Sequence, residues 1–302
     1  MANLKEVRNR ISSVQSTQQI TKAMKMVSAA KLKRATNAIL QMRPYANKLR
    51  DILANVSASM ESEEGSSSPF TVDREPKKVL LIVVSSNRGL AGAFNANVIK
   101  ATNLLIETKY AKQLSKGNLS MIAIGKKGFE FYSRRPAYNV IDNQSDLFNN
   151  LNFASVSAVT EFVMEEFKKG VYDRVEVVYN LFRNAAVQEL KVEQLLPLLP
   201  AEDNNSKAVQ TPDIAVDYII EPSKEKIVEE LIPKAIKVQL YKAILDSNAS
   251  EHGARMTAMD KATENAGDLL KALKLSYNQA RQAAITTELT EIVSGAAALS
   301  NG

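Results

Sequence analysis

Two glycine-containing turns are the segments of this sequence that come nearest to a ligand-binding motif. The segment SSNRGLAG, residues 85–92, follows the apolar run VLLIVV, and the segment GKKG, residues 125–128, follows a second apolar run. A dinucleotide-binding fingerprint needs three spaced glycines, and a phosphate loop ends in Gly-Lys-Ser or Gly-Lys-Thr. Because neither pattern is complete, we interpret both turns as structural turns that allow a helix to pack closely on a strand.

The side chains that usually perform catalysis or bind metals are scarce. The sequence has no cysteine and a single histidine, His252, which excludes disulfides, thiolate metal sites and a Ser-His-Asp arrangement. Asp51 and the glutamates of residues 61–64 have no positioned partner for acid–base work. Glu288 and Glu291 fit a solvated helix face and specific polar contacts equally well. The sequence therefore predicts no catalytic residue, no metal site and no bound cofactor.

Positive charge is concentrated at the N-terminal end. Residues 1–50 contain eleven lysines and arginines against Glu6 alone, a charge of +10 in a chain whose total is +6. This arm predicts an acidic partner, either a nucleic-acid backbone or an acidic protein surface, with a solvated face as the third reading. Tyr45 is its one aromatic residue, and it has no nucleic-acid reading motif. Arg88, in the first turn, is either solvated or contacts an acidic partner.

Apolar residues recur at an average spacing of 3.5 at both ends of the chain, which is the coiled-coil period. Thirteen of seventeen such positions in residues 4–60 are apolar. The four polar positions are consecutive: Gln18, Thr21, Lys25 and Ser28. An adjacent apolar stripe at Ile20, Met24 and Val27 predicts that the apolar face of the helix rotates at this level.

The C-terminal arm repeats this spacing over residues 238–291, where eleven of sixteen positions are apolar. We expect Pro233 to kink or break its beginning. A helix over residues 223–299, with Ser223 as its N-cap, would exceed one over residues 3–60 by about 28 Å at ~1.5 Å per residue. Its apolar end, residues 292–299, should therefore protrude, and an exposed apolar surface of this kind usually marks a binding site.

Between the arms, strand-like and helix-like patterns alternate, which is typical of an open α/β domain with a mainly parallel sheet. The predicted strands are residues 79–84, 119–124, 138–141, 174–179, 187–192 and 215–220. Residues 61–76 are predicted to be a mobile linker and residues 201–213 a loop. The predicted fold class is α/β: a long antiparallel coiled coil of the N- and C-terminal helices plus an open, Rossmann-like domain. The predicted domains are residues 1–60, 77–221 and 222–302.

No stretch reaches the ~20 consecutive apolar residues that span a bilayer. The N-terminal residues also lack the apolar core of a secretory signal.

Four segments resemble the gamma subunits of F-type ATP synthases of the bacterial type. They are RISSVQSTQQITKAMKMVSAAK (residues 10–31), SNRGLAG (86–92), EHGARMTAMD with a following NAG (251–267) and the closing ITTELTEIVSGAAA (285–298). The four segments occur in the same order, and at the same distances along the sequence, as in that family.

The resemblance implies a rotor subunit that couples proton flow to ATP synthesis and hydrolysis. Its coiled coil would stand inside the hexamer of alpha and beta subunits, with its tip in an apolar sleeve. Its α/β domain would bind the epsilon subunit and the ring of c subunits. ATP chemistry would occur on beta, and the protein would lie peripherally on the cytoplasmic face of the bacterial inner membrane.

The resemblance also implies rotor–stator contacts. Arg281, Gln282 and Glu288 would touch a loop of a catalytic subunit. Met24 would face the acidic loop of beta, with Arg88 in the same neighbourhood. Two alternatives remain at this point: a basic coiled-coil protein that binds nucleic acid, and a small-molecule enzyme built on the α/β domain.

Overall fold

Two long helices and a five-stranded sheet dominate the computed structural model, which describes residues 4–60, 68–198 and 224–300. The helices are α1 (Leu4–Met60), α2 (Phe94–Lys109), α3 (Ala111–Ser115), α4 (Lys126–Tyr132), α5 (Phe153–Lys168) and α6 (Lys224–Ser300). The strands are β1 (Val79–Val84), β2 (Leu119–Ile124), β3 (Asn139–Asn143), β4 (Arg174–Phe182) and β5 (Gln188–Leu196), with a 3-10 helix at Ser145–Phe148.

The chain divides into two compact units, and both contain parts of α1 and α6. The first comprises the described residues of Met1–Ala30 and Arg255–Gly302, and the second comprises those of Lys31–Ala254. This division differs from the predicted boundaries at residues 1–60, 77–221 and 222–302, which concern function and stay a prediction.

The sheet of the second unit has the order β3-β2-β1-β4-β5. The pairings β1–β2, β1–β4 and β2–β3 are parallel, and β4–β5 is an antiparallel edge hairpin. The central strands are buried on both faces, which explains the continuous apolar run of residues 79–84. The predicted open α/β fold is thus confirmed.

Each face of the sheet carries its own apolar core because strand side chains alternate. Leu80 and Ile82 face a core shared with α5 and with the first part of α6. Val79 and Leu81 face the opposite core, shared with α2 and with Tyr132 of α4.

The first third of α6 is buried on more than one side. Ile236, Leu240 and Ile244 pack on the sheet core. Leu245 and Ala249 pack on Ala35 and Ile39 of α1 in a separate cluster. A helix that is apolar nearly all round is a buried helix, and here it lies between the sheet and α1.

The helices α1 and α6 are antiparallel within each unit. In the first unit, Arg8 bonds to Tyr277 and Lys25 to Asp260, so the numbering falls along α6 as it rises along α1. In the second unit, Arg43 bonds to Asp246. The predicted antiparallel helix pair is confirmed.

Three local predictions need correction. α6 does not break at Pro233 but continues through it, because burial of Ile232 against the sheet core supports the helix where the proline costs a main-chain hydrogen bond. The alternative of a kink at Pro233 stays a prediction. Residues 68–76 are anchored, since Phe70 is buried in the sheet core and Asp73 pairs with Arg174 at 3.2 Å. The third concerns the apolar face of α1 and is described with the candidate site.

Several predictions fall outside the described residues. They are the first part of the linker (residues 61–67), the loop 201–213, the strand 215–220 and the N-cap at Ser223.

We predict that Gly125→Ala lowers the free energy of unfolding by roughly 2–4 kcal/mol. Gly125 has φ 105°, and a Cβ there would lie 2.2 Å from the main-chain oxygen of Ser85. Equilibrium denaturation of the purified chain measures the change. Gly89→Ala is the control, because a Cβ at Gly89 would meet no atom within 4 Å. Equal losses in the two variants would show that the close approach to Ser85 is not the cause.

Candidate functional site

The contact between α1 and α6 in the first unit is polar at its centre. The hydroxyl oxygens of Thr21 and Thr263 lie 2.8 Å apart, and both residues are at least half-buried. Gln18 Nε2 approaches Thr263 O at 3.5 Å, and Lys25 Nζ lies 2.5 Å from Asp260 Oδ1. The four polar positions of the 3.5-residue pattern therefore stay in the helix contact.

The predicted rotation of the apolar face of α1 was thus wrong. Thr21 and Ser28 are buried, whereas Ile20 and Val27 are 59% and 57% exposed. Met24, between them on the same side, is half-buried. We call Ile20, Met24 and Val27 the α1 strip: a short apolar surface that α6 does not cover.

The C-terminal part of α6 carries several exposed apolar side chains. Its exposed apolar side chains are Ile285, Leu289, Ile292, Val293 and Leu299. Arg281, Gln282 and Glu288 are exposed on the same helix within about two turns. The structure thus places three of the predicted contact residues together beside an uncovered apolar segment.

The α1 residue Arg8 reaches α6 just before this segment. Its guanidinium Nη2 donates to the Tyr277 hydroxyl at 2.8 Å. This hydrogen bond lowers the pKa of Tyr277, and the charges of Arg8 and Arg281 act in the same direction.

Arg88 belongs to the second unit, in the turn between β1 and α2. Ser86 holds this turn, since its Oγ donates to Arg88 O at 2.7 Å and its N–H to Asn95 Oδ1 at 3.0 Å. Leu90 has φ 61° and is exposed. A leucine in the left-handed region is strained, and such strain is concentrated at functional segments.

The structural interpretation of the second glycine turn is confirmed by geometry. A Cβ at Gly128 would lie 2.8 Å from Ser85 Oγ, and the Gly128 N–H donates to that oxygen at 2.8 Å. Both Gly125 and Gly128 therefore serve the packing of α4 on the end of β1.

The end of β4 is covered by the two long helices. In open α/β folds, ligands bind outside the carboxyl ends of the strands where the strand order reverses, which here is between β1 and β4. Phe182 O accepts from Arg43 at 3.2 Å, and Asn180 O accepts from Ser250 at 3.1 Å. Side chains of α1 and α6 thus occupy the β4 side of the usual ligand crevice.

The described residues also offer no metal site and no membrane-spanning helix. Across residues 4–60, 68–198 and 224–300, no three His, Asp or Glu side chains are grouped as metal ligands would be. Over the same residues, no helix combines the length and apolar character needed to cross a bilayer. His252 is half-buried in α6.

Comparison with known proteins decides the family. A family model described as ATP synthase matches residues 3–299. An ATP synthase gamma chain of Cytophaga hutchinsonii is 56% identical over 301 residues, covering all of both chains. One of Flavobacterium psychrophilum is 54% identical over 299 residues, with 99% of each chain covered.

The chain belongs to the ATP synthase gamma chain family.

Solved structures agree with this assignment. A chain from the central stalk and c-ring structure of the Tetrahymena thermophila mitochondrial ATP synthase is 25% identical, with a TM-score of 0.56 over 80% of this chain and 99% of that one. A chain of the Euglena gracilis mitochondrial ATP synthase has a TM-score of 0.68 at 20% identity, covering 98% of this chain and 94% of that one, and shows the same fold.

Gamma chain membership confirms the resemblance found from the four segments. The comparisons do not support the alternative of a nucleic-acid-binding protein. The structure also shows that several cations of the basic arm are already engaged within the chain, since Arg10, Lys25 and Arg43 each have a carboxylate partner.

Sequence reasoning missed two features of the site. One is the strained, exposed Leu90, since no residue pattern announces a positive φ at leucine. The other is the contact of Arg43 with the buried Asp246, two residues that are 203 positions apart in the chain. The one signal in the sequence was that Asp246 is a charged residue within an apolar stretch of α6.

We predict that Thr21→Val and Thr263→Val each lower the free energy of unfolding by about 1 kcal/mol, because each removes a hydroxyl that the opposite helix contacts. The double variant should lose less than the sum, since two valines pack in the space of two threonines. Thermal denaturation of the wild type, the two single variants and the double variant gives a double-mutant cycle. Strict additivity would show that the two hydroxyls do not interact.

Proposed function

We propose that the chain is the central-stalk rotor subunit of a proton-translocating ATP synthase. It couples proton flow through the membrane sector to ATP synthesis and hydrolysis on a hexamer of alpha and beta subunits. The observation that carries this proposal is the full-length similarity to ATP synthase gamma chains, at 56% identity over 301 residues. The chain itself is non-catalytic, and the active sites lie on the beta subunits.

The end of α6 serves as the bearing surface. Ile292 and Val293 are exposed, and a Cβ at Gly295 would meet no atom within 4 Å. An apolar helix end that its own chain leaves uncovered is suited to an apolar sleeve formed by the hexamer. Small apolar side chains make no directional bonds, so such a surface can turn inside the sleeve.

Arg281, Gln282 and Glu288 supply the polar contacts beside this surface. All three are exposed on α6, and none is needed for the helix contact with α1 at the level of Thr263. They contact a loop of a catalytic subunit. A few polar groups on an otherwise apolar end give the contact a defined orientation, as hydrogen bonds are directional.

The α1 strip contacts the acidic loop of a beta subunit. Its apolar members, including Met24, are flanked by exposed lysines such as Lys22. The segment carries +10 over residues 1–50, so the electrostatic potential favours an acidic partner. The exposed turn with Arg88 offers a second cationic contact to such a surface.

The α/β domain is the foot that binds the epsilon subunit and the c-subunit ring. In this proposal, residues 1–60, 77–221 and 222–302 are the functional segments: two arms of the shaft and one foot. The subunit is peripheral to the cytoplasmic face of the bacterial inner membrane. It needs no cofactor of its own and no nucleic acid.

Assembly tests the proposal. The chain is expressed together with the alpha and beta subunits of the same synthase, and the purified complex is assayed for ATP hydrolysis. We expect a stoichiometric complex with ATPase activity. A chain that stays separate from alpha and beta subunits would rule the proposal out.

We predict that Met24→Lys impairs the coupling of ATP hydrolysis to proton pumping more than it affects folding. The added ammonium group strengthens the attraction to an acidic loop and so slows its release during rotation. Proton pumping and hydrolysis are measured on the same membrane vesicles, and melting temperature on the purified chain.

Met26→Lys is the matched control. Met26 is 61% exposed and lies two residues further along α1, away from the α1 strip. We expect near-normal coupling in that variant. Equal coupling in Met24→Lys and wild type would contradict the proposed contact between the α1 strip and a beta subunit.

We also predict that a chain ending at Gly295 folds with unchanged stability. Of the residues that this change removes, Ala296 and Leu299 are described, and both are exposed, Leu299 to 87%. Melting of the shortened chain should match that of the full chain. A marked fall in melting temperature would contradict the proposal that the end of α6 packs on partners.

A further inference from the structure

Three distant segments of the chain meet at one buried carboxylate. Asp246 of α6 is 0% exposed, and its Oδ1 lies 3.4 Å from Arg43 Nη2 of α1. The same Arg43 nitrogen donates to Phe182 O at the end of β4, at 3.2 Å. Arg43 of α1 thus joins Asp246 of α6 to the end of β4 through two charge-assisted hydrogen bonds.

The ionised carboxylate is costly at this place. Asp246 Oδ2 has no hydrogen-bond partner among the described residues. Burial raises the pKa of Asp246 above its ordinary value, although Arg43 and Lys242 act in the opposite direction. A raised folded-state pKa means that stability falls as pH rises from the unfolded pKa through the folded pKa, and the cost is fully present above the folded pKa. Stability does not explain why a charge stands here.

The buried apolar contact between α1 and α6 beside Asp246 is small. Its buried residues are Ala35, Ile39, Leu245 and Ala249, and two of these side chains are single methyl groups. Apolar contacts are non-directional, so small side chains tolerate sliding and rotation of one helix on the other. A polar group at a helix contact can instead specify register at a cost in stability.

The next turns of α6 continue the same attachment. Ser250 Oγ donates to Asn180 O at 3.1 Å. A Cβ at Gly253 would lie 3.2 Å from Ala185 in the β4–β5 hairpin. Close main-chain approach and hydrogen bonds to strand carbonyls thus accompany the ion pair along about two turns of helix.

We propose that Asp246 is a positioning residue that locks the register of α1 and α6 against the end of β4, so that a turning force on the helix pair reaches the α/β domain without slip. The part about force rests on the proposed rotor function. The part about register rests on the geometry alone, and the two parts are tested by separate readouts.

The first test measures hydrogen exchange at the end of β4 in the assembled synthase, comparing wild type with Asp246→Asn. Asparagine preserves shape and removes the charge. Peptides covering Phe182 should exchange about fivefold faster, as expected from the loss of ~1 kcal/mol of local hydrogen bonding. The melting temperature should be unchanged or higher, because the buried charge is gone.

The second test measures proton pumping per ATP hydrolysed in membrane vesicles. We expect a loss in this ratio in Asp246→Asn, because the neutral amide makes a weaker bond to Arg43 than the carboxylate does and so holds the register less firmly. Asp246→Glu should restore much of the ratio. The matched control is Glu189→Gln, which removes the exposed Arg183–Glu189 pair of the neighbouring hairpin and should leave the ratio at the wild-type value.

Two results would overturn the inference. One is unchanged exchange at Phe182 together with an unchanged pumping ratio in Asp246→Asn. The other is a fall in melting temperature that accounts for the whole loss of pumping, since Asp246 would then be a structural residue only. Failure of the wild-type complex to pump protons would count against the proposed function, and the exchange comparison would still decide whether Asp246 sets the register.

Discussion

The burial of the first third of α6 is the constraint on which the second unit depends. Ile236, Leu240 and Ile244 pack against one face of the sheet, while Leu245 and Ala249 pack against α1. At about 25 cal/mol per Å² of apolar surface, such a helix contributes stability on two sides at once. Any change that displaces α6 here opens both the sheet core and the contact with α1.

The first unit is built on weaker and more polar contacts. Thr21 faces Thr263 through hydroxyl groups, and the ion pair of Lys25 with Asp260 is largely solvent-exposed. Exposed pairs contribute roughly 0–1 kcal/mol, so this helix contact is specified more by hydrogen bonding than by burial. The same two helices therefore carry a tightly packed stretch in one unit and a lightly stabilised stretch in the other.

Much of the fold could be predicted because its signals are local. Strands buried on both faces produce continuous apolar runs, and the 3.5-residue spacing reveals both long helices. The α1 prediction failed for a physical reason. Threonine and serine can be buried in a helix when their hydroxyls bond to carbonyls one turn back, as Ser28 does to Met24 O at 2.8 Å.

Other features depend on contacts that no local pattern encodes. α3 is five residues long and shows no periodicity. Arg43 and Asp246 come into contact only when the sheet, whose strands lie between them in the sequence, has folded. Of the candidate site, the exposed apolar end of α6 was visible in the sequence, because small and apolar residues persist there without charge. The strain at Leu90 was not.

The position of α6 in the chain has a consequence for synthesis. Residues 31–198 contain the complete sheet, but α5 covers only part of one face, and α6 residues from Ile232 onwards cover the rest. During translation, that remaining apolar surface stays uncovered until the last quarter of the chain has left the ribosome. Until then α1 also lacks the surface formed by Leu245 and Ala249. Nascent chains of this protein therefore pass through an aggregation-prone stage, in which a chaperone or an early-binding partner has the most to protect.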